Sequence, residues 1–222
     1  MIETQTWDDH FDRKLDSGLN VWTQSHEWIY PHELWTTVPG RDTSETDRAL
    51  VVRGQTPGFP QKFFDNFDAL FTVSYLEGTR AGWFLRSGDR AGELRGYKFV
   101  LVRGAQPSDG FELNVAAVGA PKSKISPAAC HVPIYEYGKE NDYIKVEVTA
   151  LKSEFTYCFT PMNPRPQIDD RLMIKEPRKV CCPPIRDVGR DYLPDGRLGF
   201  FGEGQTVFKV EYVLVEPKGA PD

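Results

Sequence analysis

The chain has 222 residues, with 32 acidic and 27 basic side chains and a net charge of −5. That balance, with no dense run of lysine and arginine, argues against nucleic acid as the main partner. A content of 40% hydrophobic and 13% aromatic residues supplies a sizeable core and excludes a disordered polypeptide.

Taken in chain order, the start, Met1 to Asp9, is acidic and polar. It lacks the basic and apolar regions of a secretory leader, so the chain as it stands reads as cytoplasmic. A chain trimmed of its leader would look the same and would be exported. Next, Trp22, His26, Trp28, Tyr30, His32 and Trp35 crowd into 14 residues. Such aromatics can plug one end of a sandwich or form a stacking platform for a sugar ring, with Trp28 as a contact. His26 and His32, with Glu27 or Glu33, could ligate a divalent transition metal; surface or hydrogen-bonded histidines are the plainer reading.

From residue 49 onward, short runs rich in Val, Phe, Tyr and Thr alternate with glycine and proline, the texture of many strands joined by turns. Strands are predicted at Ala49–Arg53, Ala69–Glu77, Ala81–Arg86, Tyr97–Arg103, Phe111–Val118, Tyr143–Thr149, Glu154–Thr160, Leu198–Gly202 and Thr206–Val215. Phe71, Val73 and Tyr75 oppose Thr72 and Ser74; Ile144, Val146 and Val148 oppose Lys145, Glu147 and Thr149. This period of two marks sheets with one buried face. One or two helical turns are expected at Pro60–Phe67, and long loops at Gly119–Asp142 and Pro161–Leu193. No apolar run reaches the roughly 18 residues of a membrane span. Strands at both ends of the chain, separated by long connections, predict an all-β fold: one domain over 1–222, a two-sheet antiparallel jelly-roll sandwich.

The alternation also predicts a polar face. If Ala81–Arg86, Tyr97–Arg103 and Phe111–Val118 are neighbours, Arg86, Lys98, Glu112 and Asn114 share one surface with Phe84. Sugars are bound by this mixture, with charged and amide groups for hydroxyls and an aromatic plane for the ring's C–H face. The alternative is a solvated outer face with no specific role. An Arg–Lys pair would suit an anionic sugar or a carboxylate. Glu112 is the one acid of that face placed to act as a base.

Cys130, Cys158, Cys181 and Cys182 are too sparse for a disulfide scaffold, and the vicinal pair lacks zinc-ligand spacing; reduced thiols are expected. His131 adjoins Cys130, but neighbours on an extended chain point opposite ways, which argues against a nucleophile–base pair. Asp169, Asp170, Asp187, Asp191 and Asp195 could offer oxygen ligands to calcium; solvated loop acids are the plainer reading. The E-x-D-x-E string that sets paired carboxylates on one strand is absent, as are G-x-S-x-G, H-E-x-x-H and phosphate-binding glycine loops.

Several segments, in their order, carry a family likeness. Trp7-x-x-x-Phe11 resembles an opening strand. Phe67–Glu77 followed by Ala81–Arg86, then Gly96–Leu101, resemble paired central motifs. Arg197–Phe201 and Val207–Tyr212 resemble a closing pair. In these the chain resembles the concanavalin A-like lectin/glucanase superfamily, and within it the 3-keto-disaccharide hydrolase-type domain. Ala81 replaces the family's usual Ser, Lys98 its acid and Val100 its Gln. The resemblance implies a sugar bound on the concave sheet and glycosidic-bond cleavage, metal-assisted and on an oxidised sugar. The expected function is therefore a glycoside hydrolase. The alternative is a non-catalytic lectin-like module, with a small-molecule or oligosaccharide ligand in either case. A third possibility is a structural subunit that buries this face against a partner.

Overall fold

The computed structural model describes residues 2–11, 27–31, 34–39, 48–90, 93–134, 142–162, 178–190 and 192–219. Trp22, His26, His32, Glu33, Asp169, Asp170 and Asp191 lie outside them. The strands are β1 (Trp7–Asp9), β2 (Trp28–Ile29), β3 (Thr36–Pro39), β4 (Arg48–Arg53), β5 (Phe59–Pro60), β6 (Phe67–Glu77), β7 (Arg80–Arg90), β8 (Glu93–Arg103) and β9 (Phe111–Val118). They continue with β10 (Ile125–Ser126), β11 (Ala129–Val132), β12 (Tyr143–Leu151), β13 (Glu154–Met162), β14 (Val180–Cys181), β15 (Ile185–Asp187), β16 (Arg197–Gly202), β17 (Val207–Val210) and β18 (Val213–Pro217). No helix among the described residues is long and apolar enough to cross a membrane.

Two antiparallel sheets dominate. The smaller has five strands in the order β11-β9-β8-β7-β16. The larger has eleven, along the path β10-β15-β13-β12-β6-β17-β4-β3, with β18 joining β6 to β1 and β14 added to β13. Between them lies the core predicted from alternation. Trp83, Tyr97, Phe99, Leu101 and Leu113 from the smaller sheet meet Phe71, Val146, Phe155, Tyr157 and Phe159 from the larger. Trp83 stands edge-on to Phe71 with ring centroids 5.2 Å apart. Buried polar groups are paired across the gap, as the cost of desolvation requires: Trp83 Nε1 donates to the Tyr157 hydroxyl at 3.0 Å, and the Tyr75 hydroxyl donates to the Leu101 carbonyl.

Each predicted strand is present, most of them longer than expected, and Thr206–Val215 is divided into β17 and β18. The helix expected at Pro60–Phe67 is not formed. Phe63 bridges to Ile2 and Phe64 to Gly196, so the segment is extended chain threaded between elements. The two expected loops contain β10 and β11, and β14 and β15.

The expectation of reduced thiols is corrected. Cys158 on β13 is bonded to Cys181, its register partner on β14. Cys130 on β11 of the smaller sheet is bonded to Cys182, just past β14 of the larger. The vicinal cysteines thus divide their work: one clips a short strand to its own sheet, the other staples the two sheets together.

Candidate functional site

Alternation places Phe84, Lys98 and Asn114 on the outer face of the five-stranded sheet, and Glu112 beside them. Three cross-strand rows cover that face. His131, Glu112, Val102 and Arg80 form the first. Ala129, Asn114, Val100, Gly82 and Phe201 form the second. Ala116, Lys98, Phe84 and Gly199 form the third.

Phe84, Val100 and Phe201 make an apolar patch separate from the main core, with Phe59 packed against it. Glycine lets the rings lie down. A Cβ on Gly82 would stand 2.3 Å from the Phe201 ring, and one on Gly199 would stand 2.2 Å from the Phe59 ring. Lys98 Nζ sits 5.1 Å over the centre of the Phe201 ring and 2.5 Å from Glu203 Oε1. Arg80 holds the other oxygen of Glu203. Burial alone would raise the Glu203 pKa, but hydrogen bonds from Lys98 and Arg80 outweigh it and hold the carboxyl below its ordinary value. Glu203 therefore stays ionised and committed.

The other half of the face is open. Glu112 and His131 are exposed register partners, and Asn114 is half-buried beside the small side chains of Ala116 and Ala129. Cys130 points inward into its disulfide while His131 points out, as extended-chain geometry requires.

Two expected members are not on this surface. Arg86 occupies a bulge in β7, where the pairing shifts between Leu85 and Gly88, and its φ is 50°. A left-handed residue changes the phase of the strand, so Arg86 turns inward and is 1% exposed. Its guanidinium donates to the carbonyls of Asp65 (2.9 Å), Lys152 and Leu193 (3.3 Å), and lies 5.4 Å from the Phe155 ring centre. Burial draws its pKa down, opposed by Tyr97, Tyr192, Asp65 and Asp195. Trp28 is also buried; its Nε1 donates to Asp9 Oδ2 at 2.7 Å, and its ring packs against Trp7, Phe11, Trp35 and Phe200. Of the two readings of the early aromatics, Trp28 is plug and not platform.

Asp187, weighed as a calcium ligand, is fully occupied. It accepts from the backbone of Lys124 (2.9 Å) and Gly189 (2.8 Å) and from the Tyr97 hydroxyl (2.8 Å). Among the described residues no group of three or more His, Cys, Asp or Glu side chains could hold a metal ion. Sequence reasoning missed Phe59, Arg80, Phe201 and Glu203; the flanking glycines of β7 and β16 were the available signal.

No family model and no curated protein sequence matches the chain. Solved structures do. A Bacillus subtilis protein of unknown function with a galectin-like fold superimposes with a TM-score of 0.55 at 9% identity, over 96% of each chain. A Parabacteroides distasonis protein provisionally classed as a glycosyl hydrolase gives 0.50 at 10% identity, over 89% of this chain and 96% of that one. An engineered GH43 glycoside hydrolase gives 0.50 at 12% identity, over 96% of this chain and 41% of that one. Sheet order, inter-sheet core and these superpositions agree: the chain has a two-sheet antiparallel sandwich of the galectin-like, concanavalin A-like fold.

Proposed function

We propose that this protein binds saccharides on the outer face of its five-stranded sheet. One observation carries the reading: Asn114 and the exposed Ala129 form a middle row, between exposed His131 and Glu112 with Val102 on one side and Ala116 with Lys98 on the other. Such a surface offers hydrogen bonds to hydroxyls beside small apolar groups for a sugar ring. Folds of this class host both lectins and glycosidases, so the site and not the fold must decide.

The site favours binding over paired-carboxylate hydrolysis. Its acids are Glu112 on β9, which is exposed, and Glu203 beyond β16, whose two carboxylate oxygens are held by Lys98 and Arg80. Glu203 is thereby committed to two cations and is not available as an acid or nucleophile beside Glu112. A hydrolytic reading rests on Glu112 alone, and the exposed His131 opposite it is the feature that favours it. The two disulfides support a place outside the reducing cytosol.

The test is calorimetric titration with a panel of neutral and anionic oligosaccharides. Asn114→Ala and Lys98→Ala should each weaken binding about tenfold. Equal affinity in both variants would overturn this face as the site. Glu112→Gln separates the two readings: retained binding with no product release in either protein supports a binding module, whereas turnover lost only in the variant supports the hydrolase.

A further inference from the structure

The opposite face of the molecule carries a groove that the preceding reading does not use. It lies on the outer side of the larger sheet, with a volume of about 280 Å³, near the lower end of the range of small-molecule sites, roughly 300–1,000 Å³. Strand register builds it from two rows. Glu216, Asp68, Thr149 and Thr156 stand side by side across β18, β6, β12 and β13. Leu214, Leu70, Glu147 and Cys158 stand in the next row.

The chemistry is a floor of two leucines between hydrogen-bonding walls. Thr149 Oγ1 donates to Asp68 Oδ1 at 2.5 Å, while Lys218 Nζ holds the other Asp68 oxygen at 2.8 Å. Lys179 Nζ lies 2.9 Å from Glu147 Oε2, and Lys145 lies 3.6 Å from its other oxygen. Asp68 and Glu147 are thus each paired with lysine, while the groove itself is lined by three carboxylates, Asp68, Glu147 and Glu216, and one lysine, Lys179. An anion entering meets the carboxylates, so charge selects against acidic sugars. A neutral polyol avoids that repulsion. Its hydroxyls can donate to the carboxylates and to Thr149 Oγ1 and accept from Lys179 and Thr156, and its C–H face can cover Leu70 and Leu214.

We propose that this groove is a second saccharide site, selective for neutral sugar units, which makes the protein able to hold two sugar chains on opposite faces. It borrows its ligand class from the preceding section but none of its residues. The test is methyl NMR of leucine- and valine-labelled protein titrated with cellohexaose, xylohexaose and maltohexaose. A saturable shift of the Leu70 and Leu214 methyls is expected with at least one of them. It should weaken about tenfold in Thr156→Trp, which fills the groove, and persist in Lys98→Ala. Shifts confined to Val100 and Val102 overturn the groove and leave the first site standing. Shifts confined to Leu70 and Leu214 support the groove and show that neutral hexasaccharides do not use the first site. Silence of all four with every saccharide overturns the groove. Leu70 and Leu214 shifts that are identical in Thr156→Trp also overturn the groove. Should that variant fail to fold, the wild-type titration decides alone.

Discussion

Arg86 shows how far one backbone angle can redirect a side chain. A strict alternation assigns it to the outer surface, because Trp83 and Leu85 before it face the core. The bulge shifts that phase by one, and the guanidinium enters the end of the sandwich. There, its planar fork of donors satisfies carbonyls from three separate segments. Arg86→Leu would leave those carbonyls without their donor, at a cost on the order of 3 kcal/mol in unfolding free energy. Urea unfolding checks this, and saccharide affinity per folded molecule should be unchanged. A loss of affinity at full stability would restore Arg86 to the ligand. Trp28 was misplaced for a related reason. Sequence shows that aromatics are crowded together, but not that a buried carboxylate, Asp9, waits to accept the indole proton.

Among elements, the long strands were legible because each buries one face, and period-two patterning records that directly. β6, β8, β9, β12 and β13 were found this way. The short ones, β2, β5, β10, β14 and β15, are two or three residues long and leave no period to read. Pro60–Phe67 mimicked a helix because Pro60, Phe63, Phe64 and Phe67 fall at helical spacing, yet their partners lie on separate segments: Trp28, Ile2, Gly196 and Ala150. β15 and the loop after it are held by Asp187. Burial would raise its pKa, but donors from Ser123, Lys124, Gly189 and Tyr97 together bring it below the ordinary value. A carboxyl depressed on folding contributes stability that is present above its unfolded pKa, about 4, and lost as the pH falls through the folded value. Amide exchange at Lys124 and Gly189 should therefore accelerate in strong acid before the rest of the larger sheet opens. Asp187→Asn should abolish that separate acid transition.

At the scale of the whole molecule, the sequence carried the sandwich but not its cross-links. Four cysteines spread over more than fifty residues say nothing of which come within bonding distance; only the pairing of β13 with β14 and the stacking of β11 over that region settles it. The Cys130–Cys182 bond spans 52 residues and ties one layer to the other. Chain-entropy reasoning assigns it roughly 3–4 kcal/mol. Replacing both cysteines with alanine should lower the midpoint of thermal unfolding by about 10 °C, as read by calorimetry without reductant. An unchanged midpoint would mean that inter-sheet packing alone sets the stability. The candidate site was half legible. The open strip of Asn114, Glu112 and Lys98 follows from alternation, but the aromatic paving beside it depends on contacts between β5, β7 and β16 that no local pattern encodes.

Because Cys181 and Cys182 are neighbours, swapping their partners would amount to sliding β14 one position along β13. Such a slip inverts every side chain of a strand, and Val180, which packs against the core, would be turned toward water. Correct oxidation is thus a polarity decision before it is a proximity decision. Once both bridges have closed as they stand here, the segment after residue 178 has its orientation proofread and then locked.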